Sequence, residues 1–568
     1  MKRMTFAGAA ALCFAISACS PAPQENYDLI ISGGTVYDGE GGPGVIADVG
    51  VKGDRVAAVG DLHNARATEI VDANGMAVAP GFINTLSWAV ESLIEDGRGL
   101  SDLRQGVTLE VFGEGVSMGP LNGAMKQETQ ESQGDIKYDV EWNTLGEYLD
   151  FLVKKGVSPN VASFVGATTV RIHEIGYEDR APTSEELARM QDLVREAMRE
   201  GALGVGSSII YPPAFFAKTD ELVALTKAAS EFGGGYITHM RSESEDIFDA
   251  IDETITIARE ANTRAQIYHL KLSGRSNWDK QAELIERLNA ARADGVDITA
   301  DVYTYTAGAT GLDASLPPWV QEGGDKAMRD RLKDPAIRKK VIEEMRVDSV
   351  GWENLLRQAD GPEKVLLVSF RTDALKPLTG KTLAEVAAMR GTSPEDTVID
   401  LMLEDESRVG TIYFLMNEEN VRNNIEWPYT MFGSDEEAPA PEGVFLKANP
   451  HPRAYGNFAR VFAKYVRDEG VISVAEAVRR MTSLSADELG VKERGRLKPG
   501  NYADIVIFDP ATIQDHATYE KPHQLATGVR DVFVNGVAVL RDEQHTGAMP
   551  GRVVRGPGWV GEAEAGGE

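Results

Sequence analysis

Apolar and polar positions change their rhythm along this chain. Between residues 28 and 80 the apolar runs are short, as in Leu29-Ile30-Ile31 and residues 45–51, and turns such as Gly39-Glu40-Gly41-Gly42 interrupt them. This predicts the strands of a small β-domain. The same rhythm returns near the other end, in residues 503–508 and 532–540, where Asn535-Gly536 marks a hairpin turn. Two β-rich ends flanking a different middle point to one small β-sandwich domain assembled from both, residues 27–80 and 487–555.

In the middle, apolar runs of strand length alternate with helical spacing. Residues 108–112, 161–165, 204–207, 236–239, 265–269, 298–303 and 431–434 read as strands, and 184–201, 246–261 and 473–482 as helices. Such alternation over residues 81–486 predicts a parallel α/β architecture. The placement of polar residues at strand ends favours a (β/α)8 TIM-like barrel over a doubly wound sheet. Residues 313–404 are too long for one connection and carry helical stretches at 326–345 and 382–390, so they are read as an insertion covering the barrel mouth.

Composition changes this picture little: 42% apolar and 26% charged residues describe a globular protein with a sizeable core. A net charge of −30 repels phosphate backbones and argues against a nucleic-acid partner. At the start, Lys2 and Arg3 precede a mostly apolar run, residues 4–16, that is too short for an ordinary spanning helix and reads as a secretory signal. It ends in Ile16-Ser17-Ala18-Cys19, which resembles the lipobox of bacterial lipoproteins. That resemblance implies a signal peptide over residues 1–19, a lipid on Cys19 and an exported protein anchored to a membrane of a bacterial envelope. Cys13 would leave with the signal, so the folded body has neither an internal disulfide nor a thiolate metal ligand.

Any metal site must then use histidines and carboxylates. Two of the eight histidines end strand-like runs, Tyr236-Ile237-Thr238-His239 and Ile267-Tyr268-His269. Asp435 closes Thr430-Met431-Phe432-Gly433-Ser434-Asp435, and Glu114 follows the run 108–112. Barrel active sites are built at C-terminal strand ends, and imidazole and carboxylate are both zinc ligands. Taken singly, each residue reads as a hydrogen-bonded polar group at a strand end. Together they point to a metal site.

Several motifs then occur in order: Val78-Ala79-Pro80-Gly81-Phe82-Ile83, Tyr211-Pro212-Pro213, Thr238-His239-Met240-Arg241, His269-Leu270-Lys271, Asp301-Val302-Tyr303, Gly433-Ser434-Asp435, His451-Pro452-Arg453-Ala454-Tyr455-Gly456 and Ala503-Asp504. Over residues 27–555 the chain resembles the D-aminoacylase (N-acyl-D-amino-acid deacylase) branch of the amidohydrolase superfamily. The resemblance implies His239 and His269 as zinc ligands after barrel strands five and six, and Asp435 after strand eight as the proton-transfer residue. The family's firmly held zinc also uses a cysteine in a Gly-Asn-Cys-Gly setting. Here the stretch reads Gly113-Glu114-Gly115-Val116-Ser117, which makes Glu114 the third ligand. One zinc ion is expected, although other divalent metals suit the same donors.

The chain departs from the superfamily in its first strand, where Asp-x-His-x-His is usual. Asn84-Thr85-Leu86-Ser87-Trp88 stands there, with Leu86 and Trp88 at the histidine places, so that pair cannot hold a second metal. The implied substrate is a small N-acyl amino acid, with Tyr211 and Lys271 as partners of its free carboxylate, although each reads equally well as a rim residue. His451 and Arg453 are candidate supports for Asp435, or a structural helix start. Two other readings stay open: a catalytically inactive, barrel-shaped binding lipoprotein, motivated by the missing histidines, and a hydrolase of a cyclic amide or dipeptide.

Overall fold

The computed structural model describes residues 26–561. The expected signal segment and Cys19 lie outside the described residues. Among the described residues no helix is long and apolar enough to cross a membrane.

Eight parallel strands form the central barrel: β1 (Phe82–Asn84), β2 (Val107–Phe112), β3 (Asn160–Ser163), β4 (Gly204–Ser208), β5 (Gly235–His239), β6 (Ala265–Ile267), β7 (Ile298–Val302) and β8 (Thr430–Phe432). Every residue of these strands is buried, which is why they read as continuous rather than alternating apolar runs. Hydrogen bonding groups them in two arcs, β1-β2-β3 and β8-β7-β6-β5-β4, the second continued by the two-residue strand Val165–Gly166. Where the arcs meet, Leu203 N donates to Ser163 O at 2.9 Å and Asp435 N donates to Leu86 O at 2.9 Å.

The surrounding helices follow from their spacing and caps. Ser184–Arg199 begins at Thr183, whose side chain and that of Glu186 form a reciprocal cap, and it buries Met190, Val194, Ala197 and Met198 on one face. The helix after β5, Ile247–Ala261, buries Ile247, Ala250, Ile251, Thr254 and Ala258 in the same way.

Segments from the two ends of the described residues, 26–80 and 505–545, form one nine-stranded sheet. The long strand Asn26–Val36 pairs with Val45–Lys52, Arg66–Asp72 and Ala77–Pro80, and Ala77–Pro80 pairs in turn with Ile505–Phe508. Asn535 and Gly536, at φ 51° and 78°, join Val529–Val534 to Val537–Arg541. Positive φ at both turn positions matches the expected hairpin. Two edges of the expected division move. The second segment begins not at 487 but after the helix Ser483–Leu489, which ends at Gly490. Residues 552–556 pack along the barrel instead, with Val554 N donating to Val161 O and Gly556 N to Gly201 O.

The insertion is wider than residues 313–404. It opens and closes on a three-stranded antiparallel sheet, Gly308–Gly311, Val365–Ser369 and Gly410–Tyr413, over its own core that includes Leu312, Leu332, Val341, Leu367 and Val398. Its first strand, Gly-Ala-Thr-Gly, has no apolar run to announce it. The helical stretch expected at 326–345 is two helices, Gly324–Leu332 and Pro335–Met345. Asp334 caps the second, with Pro335 at its first turn.

Candidate active site

Glu114, Tyr211, His239, His269, Lys271 and Asp435 all end or follow barrel strands at their C-terminal side. Glu114 follows β2 between two glycines at positive φ, Gly113 (108°) and Gly115 (70°). A side chain on Gly206 of β4 would meet the Gly113 carbonyl at 2.0 Å, and one on Gly115 would meet Ser208 at 2.4 Å. This close approach of backbone to β4 turns Glu114 into the barrel. His239 is the last residue of β5. His269 lies just beyond β6 at φ 37°, and Asp435 just beyond β8 at φ 52°. Both have a left-handed backbone, uncommon outside glycine though His and Asp adopt it more readily than most, and such conformations cluster at functional sites. At His269 it is held by Asp301, whose Oδ1 accepts the His269 N–H at 2.6 Å while Oδ2 accepts from Gln266 and Thr85.

One carboxylate oxygen collects both imidazoles. Glu114 Oε1 lies 2.9 Å from His239 Nδ1 and 3.0 Å from His269 Nε2. All three residues are at most 5% exposed. Burial alone would raise the Glu114 carboxyl, yet the two imidazoles hold it well below the usual carboxylate range. Behind the histidines stands Glu243, with Oε1 3.1 Å from His269 Nδ1 and Oε2 3.6 Å from His239 Nε2. Lys271 Nζ donates to Glu243 Oε1 at 2.6 Å and lies 2.7 Å from His269 Nδ1. Burial and the Lys271 charge oppose protonation of His269, but Glu243 and Glu114 outweigh them and push it up to about 10. The pocket therefore attracts positive charge at this point. Two imidazoles and one carboxylate, converging, buried and backed by a second carboxylate, fit a zinc ion in ligand type and number.

Asp435 stands across from this group. Its Oδ2 is ion-paired with Arg453 Nη1 at 2.8 Å, and its Oδ1 accepts the Trp88 indole N–H at 3.1 Å. The same N–H lies 2.9 Å from Glu114 Oε2. Burial raises the Asp435 carboxyl, and Arg453 pulls the other way. Arg453 is itself buried, with its guanidinium 4.3 Å from the centre of the Tyr303 ring. The two proposed supports of Asp435 thus divide. Arg453 touches it; His451 does not. His451 Nε2 contacts Ala307 O at 3.0 Å, its Nδ1 accepts the Arg453 N–H at 3.1 Å, and burial keeps its ring neutral. It orients the helix start that carries Arg453.

Tyr211 and Lys271 both line the cavity that opens from Glu114, His239 and His269, a space of about 870 Å³. The Tyr211 ring packs edge-on against His239, with centroids 5.1 Å apart. The insertion supplies the opposite wall through Gly308–Gly311, Ser369, Arg408 and Tyr413. Arg408 binds Asp313 Oδ2 at 2.8 Å, and its guanidinium lies 5.4 Å from the centre of the Tyr211 ring. Sequence reasoning did not single out Glu243, the bridging role of Trp88 or Arg408. Only Glu243 had a local signal, as an acid four residues after a strand-end histidine.

Residues 155–540 match the family described as the Amidohydrolase family. The chain is 35% identical to a D-aminoacylase of Alcaligenes xylosoxydans xylosoxydans, over 94% of this chain and 99% of that protein. It is similar to a solved D-aminoacylase studied for the functional role of its binuclear metal centre, with one-metal activation and second-metal attenuation. The TM-score there is 0.77 at 34% identity, over 93% of this chain and all of that one. It is also similar to an N-acyl-D-glutamate deacylase from Bordetella bronchiseptica solved with zinc and a phosphonate mimic of the tetrahedral intermediate. That match has a TM-score of 0.77 at 29% identity, over 94% and 100% of the two chains.

Proposed function

The chain belongs to the Amidohydrolase family, and on that premise we propose that it releases free amino acids from N-acyl-D-amino acids, using one zinc ion held by Glu114, His239 and His269. The observation that carries this reading is the convergence of those three ligands opposite Asp435 at the floor of one cavity. The barrel with an inactive binding role is set aside, since groups able to hold a metal and to move a proton converge on one cavity.

A divalent ion there supplies Lewis-acid polarisation of the amide carbonyl and acidifies water. The protein's own groups do the rest. Arg453 engages Asp435 Oδ2, so the proton of the attacking water passes to Oδ1, on the Glu114 side, and from there to the amide nitrogen, which leaves poorly unless protonated. Burial raises the Tyr303 and Tyr211 phenols well above their usual range, so both face substrate as neutral donors. With Lys271 they form the side of the cavity suited to the free carboxylate of the substrate. A cavity of about 870 Å³ is of the size that encloses a small molecule.

The lipobox-like segment extends the proposal to place: an enzyme held to a bacterial envelope membrane through Cys19. A substrate panel tests the chemistry. Zinc-loaded enzyme is expected to release amino acid from N-acetyl-D-amino acids and not from their L forms. Turnover of cyclic amides or dipeptides with no D-selective deacylation would overturn the reading.

A further inference from the structure

Glu114 and Asp435 are two carboxylates at the ends of β2 and β8, the strands on either side of β1, and they share one small donor from the end of β1. The Trp88 indole N–H lies 2.9 Å from Glu114 Oε2 and 3.1 Å from Asp435 Oδ1. Carboxylates this close to a common neighbour repel each other, and a protein relieves that with a proton, a cation or a hydrogen-bond donor. An indole nitrogen donates and has no lone pair to offer a metal. Leu86, two residues earlier, offers no side-chain ligand either, and its carbonyl oxygen is taken by the Asp435 N–H at 2.9 Å. Arg453 balances the far oxygen of Asp435.

We propose that Trp88 stands in for a second cation: its N–H bridges Glu114 and Asp435, closes that space to metal, and makes Trp88 the positioning residue for Asp435. The contrast is with the similar D-aminoacylase described as having a binuclear centre in which the second metal attenuates activity. Among the described residues there is then one metal place, and excess zinc has nowhere to act between the two carboxylates. The inference rests on the reading of Glu114, His239 and His269 as ligands.

Counting zinc tests it without relying on any substrate. The full chain, Trp88→Phe and Trp88→His are equilibrated with rising zinc, freed of excess, and analysed for metal per chain. The parent protein is expected to plateau at one zinc and Trp88→His at two. Trp88→Phe keeps an aromatic side chain and loses the donor; it is expected to hold one zinc with kcat lowered roughly 10- to 100-fold, the worth of a hydrogen bond to a charged group, and KM changed far less. Excess zinc is expected to leave the parent kcat unchanged. Two zinc ions in the parent, or an unchanged kcat in Trp88→Phe, would overturn the proposal. No zinc in the parent would instead remove the metal-site reading beneath it. If neither variant folds, the parent count still decides.

Discussion

Arg453 Nη1 and Asp435 Oδ2 meet at 2.8 Å inside the barrel mouth, Arg453 buried with its guanidinium against Tyr303 and Asp435 facing the cavity. The pair joins the start of a helix to the end of β8. It occupies Oδ2, leaves Oδ1 to the Trp88 indole N–H and the cavity, and sets how readily the carboxyl holds a proton.

The pair sets a pH dependence. On the proposed mechanism Asp435 works as the base in its ionised form; burial raises its carboxyl and Arg453 restrains the rise. Activity is therefore lost as pH falls through the raised value. Arg453→Met removes the restraint, and the acidic limb of kcat/KM is expected to move to higher pH. Asp435→Asn is expected to lower kcat roughly 10²- to 10⁴-fold with zinc retained. An unmoved limb in Arg453→Met would show that the ion pair does not tune the base.

Metal content separates ligands from their supports. Ala at Glu114, His239 or His269 is expected to take zinc from about one per chain to near zero. Glu243, 3.1 Å from His269 Nδ1, touches the ligand rather than the ion. Glu243→Gln is expected to weaken zinc affinity about 10- to 100-fold without abolishing binding. Chelator competition measures both.

Deeper in the barrel, Glu110 and Asp102 are fully buried, and Asn84 Nδ2 lies 3.0 Å from a carboxyl oxygen of each. Burial pushes the Glu110 carboxyl from 4.5 up to about 7. A carboxyl raised in the folded state contributes stability that is complete below its unfolded value and is lost as pH rises through the folded one. The melting temperature is thus expected to carry a downward component between about pH 4.5 and about pH 7. Glu110→Gln should flatten that component. Parallel slopes in thermal melts of the two proteins would contradict it.

The anchor is tested by fractionation. Cys19→Ser is expected to release the protein from the membrane fraction while leaving hydrolysis intact. Unchanged association would refute lipid attachment at Cys19.

Much of this protein was legible along the chain. The barrel strands are recognisable as apolar runs because both faces of a parallel sheet are buried. His239, His269, Glu114 and Asp435 stand out because a polar residue ending such a run has few places to go but the barrel mouth. The Asn535-Gly536 turn followed from backbone preference alone. The edges of the insertion did not, because its Gly-Ala-Thr-Gly strand is held by pairing with Gly410–Tyr413 rather than by any apolar pattern of its own.

By itself, then, the sequence determined the strands, their order and the residue types at their ends, since burial and backbone preference are local properties. Tertiary structure decided the partnerships: Glu243 behind both histidines, Arg453 rather than His451 on Asp435, and Trp88 between the carboxylates. Those depend on distances of a few ångströms between segments far apart in the chain. Electrostatic and hydrogen-bond energies are steep over such distances, and no local pattern encodes them.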